Sequence, residues 1–243
     1  MPNGKLIVIE GTDGSGKTTQ AKMLLRRLEL MGYSTAYADF PQYGQKSAGM
    51  VENYLSGKYG GADDVDPRVA SIFYAMDRYD AAIGIRKGLE DGRIIVCNRY
   101  VSANMGHQGG KIHDKAAREE YLRWLEDLEF NFFKIPKPDM TVLLYVPYKT
   151  AKTLVENKGY REYIGGVKKD IHEANMRHLI DAEHAFKEIA VDKGWNIIEC
   201  AKGDGIMGID EIHELVWSKV SEFLANSGVK PSRQERLNGK ESE

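Results

Sequence analysis

Cysteine is scarce in this 243-residue chain, which carries only Cys97 and Cys200. Two cysteines cannot build a disulfide framework or a four-ligand zinc site. Each closes an apolar, strand-like run, so both read as reduced thiols in the core. An excess of either charge is also lacking: 34 Lys and Arg face 36 Asp and Glu. Such a balance offers no broad basic field to nucleic acid or to an anionic membrane. Long apolar runs are missing as well. The start, MPNGKLIVIEG, has an apolar run of only four residues, LIVI, and nothing later approaches the ~18 residues of a membrane span. No nucleic-acid or membrane partner is expected, and the expected location is the cytoplasm. No internal repeat is visible, and the length suits one domain with a substantial core.

Against these absences stands one dense stretch, EGTDGSGKTT at residues 10–19. Gly11, Gly16, Lys17 and Thr18 satisfy the spacing G-x-x-x-x-G-K-[ST] of a P-loop. The context agrees: the apolar run LIVI precedes it, and Ala21, Leu24, Leu25 and Leu28 follow at the spacing of one helix face. Glycines let backbone N–H groups turn inward around phosphate oxygens, and the helix N-terminus adds a positive dipole end. Gly11, Asp13, Gly14, Ser15, Gly16, Lys17, Thr18 and Thr19 are thus the candidate nucleotide-phosphate site. Lys17 reaches the β- and γ-phosphates, and the Thr18 hydroxyl is the candidate ligand for Mg²⁺.

Short β-type runs recur between helical patterns: KLIVIE (5–10), STAYAD (34–39), RIIVC (93–97), MTVLLYV (140–146) and NIIEC (196–200). Near-continuous apolar strands alternating with helices predict an α/β fold. Its parallel five-stranded sheet has helices on both faces, in the three-layer P-loop NTPase arrangement. Ligands then gather at the C-terminal strand ends. DFPQYG follows the second strand, FYAMDRY lies in the helical stretch 67–90, and NRYVSANMGHQGGK follows the third strand. Arg78 and Arg99 offer rigid forks of donors for a second anion or an oxygen-rich ring. For Arg78 the competing reading is an ion pair with nearby Asp77 or Asp80. Phe40, Phe73 and Tyr74 are candidates for a stacking platform, with core packing expected for two of the three. Asn104 and Gln108 can read the edge of a base.

The segment 156–178, ENKGYREYIGGVKKDIHEANMRH, is rich in Gly and basic residues and then becomes a helix, with His178 on its apolar stripe. Its first part, about 156–172, reads as a lid that closes over polyphosphate. Arg161 is the first candidate for the cation that meets charge on the transferring group, with Lys168 and Lys169 behind it. One P-loop domain is expected over residues 1–225, followed by a polar tail over 226–243.

The ordered set EGTDGSGKTTQ, DFPQYG, FYAMDRY, NRYVSANMGHQGG and KKDIHEA resembles the thymidylate kinase family over roughly residues 5–225. The resemblance implies phosphorylation of dTMP by ATP with Mg²⁺, in a homodimer. It also implies that Lys17 and the loop backbone hold the ATP phosphates while Asp13 approaches the sugar 3′-hydroxyl of dTMP. Arg99 would hold the dTMP phosphate, Tyr74 would stack on thymine and Arg78 would reach the base oxygen. Asn104, His107 and Gln108 match positions beside the base and deoxyribose; Phe40 and Tyr43 match positions near the sugar and phosphate. Some members place a catalytic arginine in the P-loop and others in the lid. Gly14 puts this chain with the second type, in agreement with Arg161.

One departure stands out. The family usually has Asp-Arg after the third strand, whereas this chain reads Asn98-Arg99. An amide can orient a magnesium-bound water but cannot neutralise the metal's charge, which leaves Asp13 or Glu10 to carry that burden. The alternatives are a deoxynucleoside or other nucleoside monophosphate kinase, and a nucleotide-dependent switch. Against the switch, the chain has no Asn-Lys-x-Asp run to read guanine, and KIPKPD does not replace one.

Overall fold

The apolar runs form β1 (Lys5–Gly11), β2 (Thr35–Asp39), β3 (Ile94–Asn98), β4 (Met140–Tyr145) and β5 (Asn196–Glu199). These belong to a computed structural model that describes residues 4–148, 150, 171, 176–202 and 205–231. The five strands pair in parallel in the order β2-β3-β1-β4-β5. Alternation along β1 explains why its run is apolar throughout. Ile7 and Ile9 pack into a cluster with Leu24, Leu28, Val216 and Val220, while Leu6 and Val8 pack on the opposite face with Ile85, Met105, Tyr121 and Ile189. All four β1 side chains are fully buried, as a sheet covered on both faces requires. The expected three-layer α/β architecture is the one observed.

One face carries α1 (Lys17–Leu30) and α7 (Ile209–Asn226). The other carries α3 (Pro67–Glu90), α4 (Val101–His107), α5 (Lys115–Glu126) and α6 (Met176–Asp192); α2 (Gly49–Leu55) packs beside α3. Local chemistry sets several starts. Asp66 accepts from the Arg68 N–H with Pro67 in the first turn, and Asp114 accepts from the Ala117 N–H. A π-helical segment, Asp127–Phe132, continues α5. A two-stranded antiparallel pair, β6 (Ala201–Lys202) and β7 (Gly205–Ile206), precedes α7.

α6 approaches α4 closely because glycines face it. A Cβ on Gly106 would meet the Phe186 ring at 2.4 Å, and one on Gly110 would meet Ala182 backbone at 3.0 Å. Cys97 and Cys200 are both buried and free, as expected, and burial holds the Cys97 thiol well above its ordinary pKa. Apart from Ile171, the expected lid at 156–172 lies outside the described residues, Arg161, Lys168 and Lys169 included; so do residues 232–243 of the tail.

Candidate active site

β1 runs into the P-loop at Gly11, where a Cβ would lie 2.5 Å from the Leu144 carbonyl oxygen. Gly14 and Gly16 have φ of 87° and 85°, in the left-handed region that favours glycine. No side chain caps α1, whose N-terminus opens on the loop. Lys17 is the first residue of that helix. Its Nζ folds back to donate to the Thr12 carbonyl at 2.7 Å and lies 3.7 Å from Asp13 Oδ1. The glycines therefore shape the loop, and the lysine supplies its charge.

Arg99 follows β3 with a φ of 62°. The conformation alone is no functional marker, since Lys134 has a φ of 53°. Its result here is specific: the guanidinium pairs with Asp13 and donates to His107 Nε2 at 3.1 Å. Burial works against the Arg99 charge, but Asp13 and Glu10 outweigh it. Because a guanidinium can only donate, Nε2 of His107 must accept, which places the imidazole proton on Nδ1. Burial and then the Arg99 charge hold the His107 pKa well below its ordinary value, in keeping with a neutral ring. The expected packed histidine, His178, is buried and stacks on His107 with ring centres 5.7 Å apart.

The strand ends next to Arg99 bring three polar groups together. Asn98 is the register partner of Asp39 on β2 and of Ile9 on β1. Its Nδ2 donates to Asp39 Oδ1 at 2.8 Å and to Thr18 Oγ1 at 3.2 Å. Its Oδ1 is buried and, among the described residues, has no hydrogen-bond partner. The carboxylates expected to replace an aspartate at 98 are engaged elsewhere. Glu10 is fully buried and accepts from Ser102 Oγ at 2.7 Å and from the Gly11 N–H at 3.0 Å, and burial raises its pKa despite Arg99 and Lys17. Asp13 is paired with Arg99. Asp39, the first residue of the DFPQYG run but not among the site residues expected from the sequence, is the carboxylate that faces Asn98.

A cavity of about 790 Å³ extends from the P-loop past Arg99 to Gln108. Of the candidate residues, Asp13, Gly14, Gly16, Lys17, Thr18 and Thr19 line one end; Phe40, Tyr43, Tyr74, Arg78, Arg99, Asn104, His107 and Gln108 line the rest. Gly11, Ser15 and Phe73 are not on its wall. Phe40 is also packed against Tyr100, Phe73 against Tyr54 and Tyr59, and Tyr74 edge-on against Tyr54, so ring packing involves all three aromatics rather than two. Asn104 Nδ2 donates to the Ser71 carbonyl at 3.3 Å. Gln108 is 1% exposed, and both its amide atoms lack a hydrogen-bond partner among the described residues. A buried amide left with both functions open is matched by a ligand edge that offers a donor and an acceptor.

Arg78 pairs with neither Asp77 nor Asp80. Its Nε donates to Glu129 Oε1 and Oε2 at 3.0 and 3.1 Å, its Nη2 pairs with the same carboxylate, and both residues are almost completely buried. Burial opposes the Arg78 charge and Glu129 overcomes it. Asp77 instead holds the loop after β2, accepting from the Gln42 N–H at 2.8 Å and from Ser47 Oγ at 2.7 Å. Glu129→Ala should cost about 3–5 kcal/mol in equilibrium urea unfolding, because it leaves an uncompensated charge in the core. The double change Arg78→Met with Glu129→Met should cost less than that single one. A single-variant cost below about 1 kcal/mol would mean that the pair is solvated rather than buried.

A P-loop at the first strand of a parallel sheet, opening on a cavity with a second cationic group, defines a P-loop phosphotransferase. A thymidylate kinase family model matches residues 9–203. The thymidylate kinase of Mycobacterium tuberculosis is 30% identical over 191 residues, spanning 78% of this chain and 87% of its own. That of Brachyspira hyodysenteriae is 30% identical over 222 residues, spanning 86% and 98%. The fold matches a solved thymidylate kinase from Candida albicans with a TM-score of 0.67 at 22% identity, over 90% of this chain and 92% of that one. This chain belongs to the thymidylate kinase family.

Proposed function

We propose that this enzyme transfers the γ-phosphoryl group of ATP to dTMP, releasing ADP and dTDP. The observation that carries the reading is the continuity of one cavity from Lys17 through Arg99 to the open amide of Gln108. ATP phosphates sit on the P-loop backbone and Lys17. The dTMP phosphate sits at Arg99, which exchanges part of its contact with Asp13 for the ligand, and Asp13 turns to the sugar 3′-hydroxyl. Tyr74 stacks on the thymine, with Phe40 and Tyr43 near the sugar and phosphate. Arg78, held by Glu129, reaches the base oxygen, and Asn104, His107 and Gln108 border the base and deoxyribose. A phosphate oxygen of dTMP then attacks the γ-phosphorus in line with the departing ADP oxygen. The protein's task is alignment, charge compensation and exclusion of water.

The Asn98 amide, whose nitrogen donates to the Thr18 hydroxyl and whose buried oxygen has no hydrogen-bond partner among the described residues, fits a magnesium ion carried in with ATP. Bound there, Mg²⁺ would neutralise charge on the β- and γ-phosphates. Residues 1–225 act as one kinase domain with a lid at about 156–172, and Arg161 supplies the lid's cation. Homodimerisation follows the family resemblance. An apolar stripe on α3 supports it: Val69, Ile72, Met76, Tyr79 and Ile83 are spaced by three and four residues and are 41–70% exposed. Among the described residues no helix is long and apolar enough to cross a membrane, which is consistent with a cytoplasmic site of action.

A coupled assay of ADP release across dTMP, dUMP, dGMP, CMP and thymidine tests the proposal. Multiple turnover with dTMP and little with thymidine is the expected result, since Arg99 is of use only to an acceptor that already carries a phosphate. Slow hydrolysis indifferent to dTMP would instead identify a switch.

A further inference from the structure

We propose that Asp39 supplies the negative charge of the magnesium site, taking over from β2 the task for which the position of Asn98 on β3 is no longer equipped. The inference rests on the phosphotransferase reading of the cavity. Asp39 and Asn98 are register partners at the C-terminal ends of adjacent strands. Asp39 Oδ1 accepts from Asn98 Nδ2 at 2.8 Å, and the same amide nitrogen reaches Thr18 Oγ1 at 3.2 Å. The chemistry fixes the amide's orientation. An ionised carboxylate only accepts, so the Asn98 nitrogen must face Asp39, and Oδ1 must point the other way. That oxygen belongs to a residue 5% exposed on the cavity wall, and no described residue hydrogen-bonds to it.

Three residues with oxygen donors of different kinds, Thr18, Asn98 and Asp39, thus share the cavity wall, with the Asn98 amide nitrogen bridging the Thr18 hydroxyl and the Asp39 carboxylate. Hard oxygen donors with one carboxylate, shared with substrate phosphates and waters, make the donor set that magnesium takes. The remaining valence of Asp39 is limited: Oδ2 accepts from the Tyr37 hydroxyl at 3.1 Å. With one oxygen on Asn98 and the other on Tyr37, it holds the metal best through bound water. The arrangement also accounts for Asn98. An aspartate there would set two carboxylates side by side within hydrogen-bond distance, where both cannot ionise. With the charge on Asp39, an amide at 98 is the residue that can bridge it to Thr18.

Mn²⁺ titration followed by electron paramagnetic resonance, in the presence of a non-hydrolysable ATP analogue, reads the site without turnover. Asp39→Asn retains an oxygen to accept from Asn98, so it removes charge and little else. It should weaken Mn²⁺ on the order of 10- to 100-fold, as loss of a group that orients metal ligands does. The exchanged variant, Asp39→Asn with Asn98→Asp, should return Mn²⁺ affinity to near the wild-type value, because the charge is back in the site one strand over. Metal-free dTMP binding reports that each variant is folded. Wild-type Mn²⁺ affinity in Asp39→Asn would overturn the proposal, and so would an exchanged variant as weak as Asp39→Asn. Failure of the wild-type protein to take up Mn²⁺ with nucleotide would overturn the phosphotransferase reading beneath it.

Discussion

Replacement of Lys17 by alanine should lower kcat by at least about 10³-fold while leaving the chain folded, reasoning from the 10²–10³ that loss of a single neutral donor to a developing oxyanion costs. Lys17 brings a full charge, and it is the cation built into the P-loop itself. Its Nζ rests on the Thr12 carbonyl at 2.7 Å, a contact that the β- and γ-phosphates are placed to replace. The loop keeps its course without the lysine because the left-handed turns at Gly14 and Gly16 set it. Loss of the Thr12 hydrogen bond is of the order of 1 kcal/mol, which moves the melting temperature by about 2–4 °C in a protein of this size. Steady-state turnover and a thermal melt together check the expectation. Near-native turnover in Lys17→Ala would remove the P-loop from the chemistry.

What was legible in the sequence is what the fold encodes locally. The strands could be read because a parallel sheet buried on both faces demands apolar residues at successive positions, as at Leu6, Ile7, Val8 and Ile9. The P-loop could be read because backbone conformation fixes its glycine spacing within eight residues of sequence, from Gly11 to Thr18. Arg99, Asn104 and Gln108 could be placed because strand ends gather ligands. The missed residues are those whose meaning comes from a distant partner. Glu129 lies 51 positions from Arg78, and Asp39 lies 59 from Asn98. The competing reading of Arg78, as a partner of Asp77 or Asp80, runs against helix geometry: residues one and two apart on a helix do not face each other. Asp77 turns to the loop at Gln42 and Arg78 to the π-helical segment. Strand order decided the rest. β2 lies beside β3 rather than beside β1, so Asp39 meets Asn98, a juxtaposition no local pattern announces.

Arg161→Ala should lower kcat on the order of 10³-fold, by the range for arginines that complete a phosphoryl-transfer site, and raise KM for either substrate far less. The P-loop leaves a deficit of positive charge. It carries glycine at Gly14, and Arg99, the guanidinium at the end of the neighbouring strand, is already paired with Asp13. Charge accumulating on the transferring phosphoryl needs a further donor. Arg161 lies outside the described residues, but the chain on its C-terminal side is well placed. Ile171 packs with the cluster of Tyr54, Leu55 and Val65 beside α2, and α6 lies close against α4, the helix that carries His107. Ile171 therefore lies beside a cluster whose Leu55 lines the cavity. Between Gly159 and Gly165 the sequence supplies hinges on either side of Arg161. A contact made mainly in the transition state lowers kcat and kcat/KM together, whereas a ground-state contact shows in KM. Steady-state kinetics with each substrate varied in turn separates the two. A loss below about tenfold in Arg161→Ala, set against that range, with a larger one in Lys168→Ala or Lys169→Ala, would move the role along the lid. Near-neutral effects in all three would mean that the missing charge comes from outside this segment.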